Sequence, residues 1–208
     1  MAGSNAFDQL SERYDGWFDA HPEVYRIELE AIRDCMPPDV TNALEVGVGT
    51  GRFAGPLGIQ TGVEPSDAMA RIAENRGIRV YRATAETLPF DHQSFDLVLL
   101  VTTICFLDDV PAAFSEAYRV LRPGGHILIG FVDKNSRLGR RYEQKRAQSP
   151  FYKDATFFTS QEVSQLLVRA GFHSILVRQI PLPGDDDPHD LSFPSNGSFV
   201  VIRGSVQP

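Results

Sequence analysis

The segment Ala43–Arg52, ALEVGVGTGR, limits the fold more than any other stretch of the chain, because a short apolar run ends in glycines at 47, 49 and 51. A strand that opens straight into alternating glycines begins a strand–turn–helix unit whose backbone approaches a ligand closely or turns through conformations that a Cβ disfavours. The spacing narrows the ligand. Gly47 and Gly49 match the start of G-x-G-x-x-G, but Arg52 takes its third glycine position, and no Gly-Lys-Ser/Thr follows to make a phosphate loop. What remains is E-x-G-x-G-x-G, with Glu45 inside the strand end and a second acid, Glu64, closing the next strand in GVEPS.

From residue 42 onward β-branched runs alternate with helical segments. NALEVGV, QTGVEP, IRVYRA, FDLVLLV and HILIGFV read as strands, with helices near 66–75 and 109–121 between them. That alternation predicts a parallel sheet wrapped on both faces. FDLVLLV is apolar on both strand faces, as a central parallel strand must be, and RPGG at 122–125 supplies the turn into HILIGFV. Ahead of the core, residues 5–35 read as two helices parted at His21-Pro22. After it, a basic helical stretch (134–148) leads to a helix capped by Thr159 or Ser160 and ended by Gly171. HSILVRQI and GSFVVIRG then form a hairpin on the sheet edge, joined by an exposed Pro- and Asp-rich connection over 181–197. The expected architecture is a Rossmann-like, doubly wound α/β fold: a mostly parallel seven-stranded sheet with an antiparallel C-terminal hairpin strand. It is one domain made of a helical cap (1–38), a core (40–132), a helical insertion (133–172) and the hairpin (173–208).

Composition excludes several functions. Lys and Arg total 20 against 27 Asp and Glu, a net charge of −7, so the basic footprint of a nucleic-acid binder is missing. The opening MAGSNAFDQLSERYD has no apolar leader and no run of 18 apolar residues occurs, which predicts a cytoplasmic protein without membrane contact. Cys35 and Cys105 are far apart, with no CxxC, and read as reduced, mostly buried thiols. Asp185–Asp187 read as a solvated loop without metal-ligand spacing, and no metal is expected.

Four features then recur in order. LEVGVGTG, GVEPSDAM, ATAETLPFDHQSFDLVLL and EAYRVLRPGGHILIG together resemble the successive motifs of the class I S-adenosylmethionine-dependent methyltransferases, over residues 40–132. Within them the chain is similar to short small-molecule members of the type 11-like branch that share TTICF and a VDxxSxLGxxYE segment. The resemblance implies an enzyme that transfers a methyl group from S-adenosyl-L-methionine to a small-molecule acceptor by in-line displacement, leaving S-adenosyl-L-homocysteine. It also implies a cofactor site. Gly47, Gly49 and Gly51, with Glu45 before them, admit the methionine moiety, and Glu64, followed by Pro65, accepts the ribose hydroxyls. Met69 packs on the adenine, Ala85 and Glu86 lie beside it, and Thr102 offers backbone to the methionine part. Thr84 stands where many members carry the Asp that holds the adenine amino group. The helix after the glycines, GRFAGPLG, is broken by Gly55-Pro56, which predicts a trimmed first helix.

A sulfonium gives up its methyl without protonation of the leaving thioether, so the protein mainly aligns the acceptor and excludes water. A base is needed only for a protonated acceptor, and His21 and Tyr14 are the candidates. His126 is read as structural, and His92, His173 and His189 as surface or loop residues. Tyr14, Trp17 and Tyr25 lie in the segment that covers the cofactor in related enzymes, and Tyr142 and Tyr152 follow strand five. With Cys105 and Arg141 they form the expected acceptor set, since large aromatics exclude water and hold cationic or apolar groups. A non-catalytic domain that binds the cofactor to regulate or scaffold a partner is the alternative, and a nicotinamide-dependent enzyme is opposed by Arg52.

Overall fold

The structure is a computed structural model and describes residues 4–183, 185 and 197–208. The cap is three helices, not two: α1 (Ser4–Gln9), α2 (Ser11–Ala20) and α3 (Pro22–Cys35). The extra break falls at Leu10, whose dihedrals (φ −124°, ψ 25°) leave the helical range although its carbonyl still accepts from the Tyr14 amide at 2.9 Å. Neither Gly nor Pro marks it in the sequence. Pro22 opens α3 at a position where a missing amide hydrogen costs nothing.

The core alternates as expected: β1 (Ala43–Val46), α4 (Ala54–Leu57), β2 (Thr61–Val63), α5 (Asp67–Asn75), β3 (Arg79–Tyr81), β4 (Phe95–Val101), α6 (Val110–Val120) and β5 (Leu121–Val132). Helix α4 has only four residues and stops at left-handed Gly58, which matches the trimmed helix read from Gly55-Pro56. RPGG is a loop within β5: Leu121 pairs with Phe95, the chain bulges through 122–125, and His126 resumes pairing opposite Leu97. Helices α7 (Arg137–Lys145) and α8 (Ser160–Arg169) precede β6 (His173–Ile180) and β7 (Phe199–Ser205). Thr159 caps α8 in a reciprocal pair with Glu162.

The seven strands lie in the order β3-β2-β1-β4-β5-β7-β6, and β7 runs antiparallel to both its neighbours. The order reverses between β1 and β4, the place where open α/β sheets bind ligands at the carboxyl ends of their strands. Strand β4 is apolar on both faces because each has its own core. Val98 and Leu100 pack with Phe114 of α6 and Val163 and Leu167 of α8. Leu97, Leu99 and Val101 pack with Ile32 of α3, Phe18 of α2 and Phe53.

VDxxSxLG has a structural reading. Asp133 is buried at the end of β5 and accepts from the amides of Asn135 and of Ser160, the first residue of α8, each at 2.7 Å. Ser136 caps α7, and a Cβ at Gly139 would stand 2.1 Å from the Asp133 carbonyl oxygen. The segment thus pins α7 and α8 to the sheet.

Asp185 corrects the expectation of a solvated loop: it is buried and accepts from the amides of Leu182 and Ser198, each at 2.8 Å, and from the Ser198 hydroxyl. Asp186, Asp187 and His189 lie outside the described residues. His173 begins β6 with its Nε2 buried and unpartnered, and His126 bonds Ser205 at 3.0 Å within the sheet. Among the described residues no helix is long and apolar enough to cross a membrane. Replacing Asp185 by Ala removes charge-assisted bonds that close the β6–β7 connection and is expected to cost about 2–4 kcal/mol of stability; an unchanged urea midpoint would contradict that anchoring role.

Candidate active site

A cleft opens at the carboxyl ends of β1, β2 and β4. Its floor is the turn after β1, with Gly47 and Gly49, and its wall is the turn after β2, with Glu64 and Pro65. The two turns are tied together by one side chain. Glu64 is buried, its Oε2 accepting from the Gly49 amide and its Oε1 from the Ser66 amide, each at 2.9 Å. Burial nonetheless pushes its pKa up, the amide bonds opposing. Gly49 has φ +54°, and a Cβ there would stand 3.8 Å from Tyr14 and 3.9 Å from Met69, in the cleft itself. Any larger residue would fill the cradle that a ligand would use.

The structure brings Gly47, Gly49, Glu64, Pro65, Met69, Ala85, Glu86 and Thr102 together in this cleft, with Thr84 among them. Glu86 does more than line it, accepting from the Asp108 and Asp109 amides at 3.1 and 3.3 Å and so holding that loop over the rim. Glu45 and Gly51 are not in the lining. Gly51 (φ +82°) faces α5 and the turn that follows it, where a Cβ would meet Ile78 at 2.4 Å. Glu45 is buried behind the turn, with Oε2 unpartnered, and burial pushes its pKa well up against a bond from the Ala54 amide.

Thr102 follows β4 with φ +51°, a strained setting for a β-branched residue, fixed by its amide bond to the Gly130 carbonyl at 2.7 Å. It belongs to two spaces. Beyond it lies a second cavity of about 340 Å³ between the cap and the segment after β5, and Phe7, Tyr14, Thr102 and Phe106 line both. The second cavity is walled by aromatic rings: Trp17 and Phe18 from α2, Tyr142 from α7, and Phe151 and Tyr152. Tyr152 stacks on Phe106 (5.7 Å, 13°) and on Tyr142 (5.3 Å, 20°). Burial raises the pKa of Tyr14, against a hydrogen bond with Thr102, and likewise raises that of Tyr152, so both phenols stay protonated.

One buried acid faces this space. Glu28 of α3 is only 5% exposed and lines the cavity, and burial pushes its pKa up to about 8. Tyr25, Glu28, Ile32 and Cys35 recur at helical spacing, which would have placed Glu28 on the buried face. Arg13 and Lys145 also line it.

Several expected acceptor residues stand elsewhere. His21 is exposed, stacked on Trp17 (4.6 Å, 18°) with Nδ1 2.9 Å from the Trp17 carbonyl, and lines neither space. Tyr25 donates to the Arg52 carbonyl and Arg141 is exposed, and neither lines the cavity. Cys105 lies behind Tyr152 in a small pocket, its pKa pushed up to about 12 by burial, so it is no thiolate nucleophile.

Residues 44–129 match the model of a family described as a methyltransferase domain. An uncharacterized protein of Methanocaldococcus jannaschii is 45% identical over 175 residues, which cover 84% of each chain. The crystal structure of a SAM-dependent methyltransferase, possible histamine N-methyltransferase, from Thermotoga maritima is 44% identical with a TM-score of 0.89, over 98% of this chain and 99% of that one. The chain belongs to the S-adenosylmethionine-dependent methyltransferases. A chain from the complex of the Haloferax volcanii Trm112 methyltransferase activator with a methyltransferase shares the fold at 17% identity, with a TM-score of 0.78 over 99% and 98% of the two chains.

In this methyltransferase Arg52, the residue that broke the dinucleotide spacing, latches the cap. Its guanidinium donates to Asp15 through Nε and Nη2, each at 2.8 Å, and to Asp19. Arg76 adds two bonds to Asp15 and one to the Thr50 carbonyl. Burial opposes ionisation of Asp15, yet the hydrogen bonds from Arg76 and Arg52 hold its carboxyl well below the usual range. The Arg52 and Asp15 side chains are 17% and 18% exposed, so water screens the pair weakly. Arg52→Ala is expected to cost about 1–3 kcal/mol and to speed hydrogen exchange of residues 11–20; exchange at the wild-type rate would mean that aromatic packing alone holds α2.

Proposed function

We propose that the protein transfers a methyl group from S-adenosylmethionine, held in the cleft, to a small-molecule acceptor held in the aromatic cavity. The observation that carries this reading is the shared wall: Phe7, Tyr14, Thr102 and Phe106 line both spaces, so a donor and an acceptor would meet there. The cleft residues suit the cofactor. Each Glu64 oxygen accepts one amide and keeps a lone pair for a ribose hydroxyl. Met69, Ala85 and Glu86 surround the place for the adenine, and Gly47, Gly49 and Thr102 the place for the methionine moiety. The bound cofactor supplies an electrophilic methyl on a sulfonium. The chain aligns the acceptor in line with that methyl and keeps water away, which is what the rings of Tyr14, Phe106 and Tyr152 do around the junction. The division of labour follows the chain: cap and post-β5 insertion shape the acceptor side, and residues 40–132 shape the cofactor side.

Calorimetric titration is expected to show binding of S-adenosylhomocysteine and none of NAD. Glu64→Ala is expected to weaken that binding by roughly 1–3 kcal/mol with an unchanged far-ultraviolet circular dichroism spectrum. Equal affinity in the variant would mean that the ribose is held elsewhere.

A further inference from the structure

We propose that the acceptor is an amine, anchored as its ammonium by Glu28 and deprotonated by the same carboxylate before transfer. The proposal rests on the reading of the aromatic cavity as the acceptor site. Glu28 is 5% exposed, on the face of α3 that otherwise carries Ala31, Ile32 and Cys35 into the core, and it opens into the cavity. Among the described residues it makes no hydrogen bond or ion pair, although such partners are the usual condition for burying a carboxylate. Arg13 and Lys145 line the same cavity, yet burial alone governs Glu28, with no neighbouring charge offsetting it. The missing partner is therefore a cation that arrives from outside.

The walls suit a cation. The rings of Tyr14, Trp17, Tyr142 and Tyr152 present π faces or edges around the space, and a desolvated ammonium gains from such rings. A carboxylate acceptor would be repelled by ionised Glu28, and an alcohol would leave the buried carboxyl in its neutral form, whereas an ammonium favours ionisation. An ammonium satisfies the carboxylate but has no lone pair to react with. Glu28 answers both needs: it takes one proton from the ammonium, and the freed nitrogen lone pair forms the new C–N bond. The C–S bond of the sulfonium breaks with its electron pair going to sulfur, giving a neutral thioether and a methylated ammonium. The proton on Glu28 then leaves to solvent as product departs. Its raised pKa brings it nearer to that of an amine, which eases the proton transfer.

The test uses the full chain loaded with S-adenosylhomocysteine. Primary amines from ethylamine to phenethylamine and tryptamine are titrated beside the alcohol and the carboxylate of each same skeleton. At least one amine is expected to bind ten or more times tighter than its alcohol and carboxylate. Glu28→Gln should abolish that preference and leave S-adenosylhomocysteine affinity within twofold of wild type, and Glu28→Asp should restore part of it. With S-adenosylmethionine, kcat/KM for the preferred amine is expected to fall at least 100-fold in Glu28→Gln. The wild-type rate should rise with pH on a limb that the variant lacks. The other titratable or charged groups facing Glu28 are Arg13, Tyr14, Tyr142, Lys145 and Tyr152, and the Tyr14, Tyr142 and Tyr152 hydroxyls are shifted upward, away from that limb. The melting temperature of Glu28→Gln should equal or exceed that of wild type at pH 8, which shows that it folds. If no amine is preferred over its alcohol, or Glu28→Gln keeps the preference, the assignment fails while the methyltransferase reading stands. If S-adenosylhomocysteine does not bind the wild-type chain, the reading of the cleft itself fails.

Discussion

The carboxylate of Glu64 holds the amide of Gly49 on one side and that of Ser66 on the other, and the shape of the cleft follows from that double bond. It fixes the turn after β1 against the turn after β2 at the point where the sheet reverses its order. The glycines make the arrangement feasible from opposite sides: Gly49 leaves room toward the cleft, and Gly51 leaves room for Ile78 behind it. Burial raises the pKa of this carboxylate against the two amide bonds, and further hydroxyl donors would stabilise its charged form.

The cap packs on the sheet through Phe18 and Ile32 and is fastened to this turn by charge. Arg52 and Arg76 converge on Asp15, and Tyr25 reaches the Arg52 carbonyl, so α2 and α3 sit over the glycine turn. Phe7 and Tyr14 are thereby brought to the wall between cleft and cavity, and Glu28 to the cavity's inner side. The ordering has a pH sense. Asp15 has a depressed pKa, so the stability it contributes is full above its ordinary value of 3.8 and is lost as pH falls through the lower folded value. Glu28 acts in the other direction: raised to about 8 from 4.5, it lowers stability progressively as pH rises between those values.

The sheet, its strand positions and the shortened α4 were legible because they rest on local signals: alternating apolar runs, glycines, and Gly55-Pro56. The cleft was legible in outline for the same reason, since its residues sit at fixed offsets from strand ends. Glu45 and Gly51 share the motif's spacing yet lie outside the cleft lining, behind the turn, a distinction set by which way each residue points. The acceptor side was harder to read. His21 has suitable chemistry, but the end of α2 leaves it outside, stacked on Trp17. Phe106 joins the wall through a short turn after β4 that carries no periodic signal. Glu28 had a signal in its spacing with Tyr25, Ile32 and Cys35, but acids on amphipathic helices normally face water. Asp185 is buried by partners from Ser198, thirteen residues on, which a run of three aspartates does not suggest.

In the proposed reaction cofactor and acceptor meet at the wall formed by Tyr14, Thr102 and Phe106. A crystal structure with S-adenosylhomocysteine tests it most directly. The ribose hydroxyls are expected at the Glu64 carboxylate and the sulfur at Thr102, turned toward the aromatic cavity. Density that places the sulfur away from Thr102, or the nucleoside outside the cleft at Glu64, would contradict it.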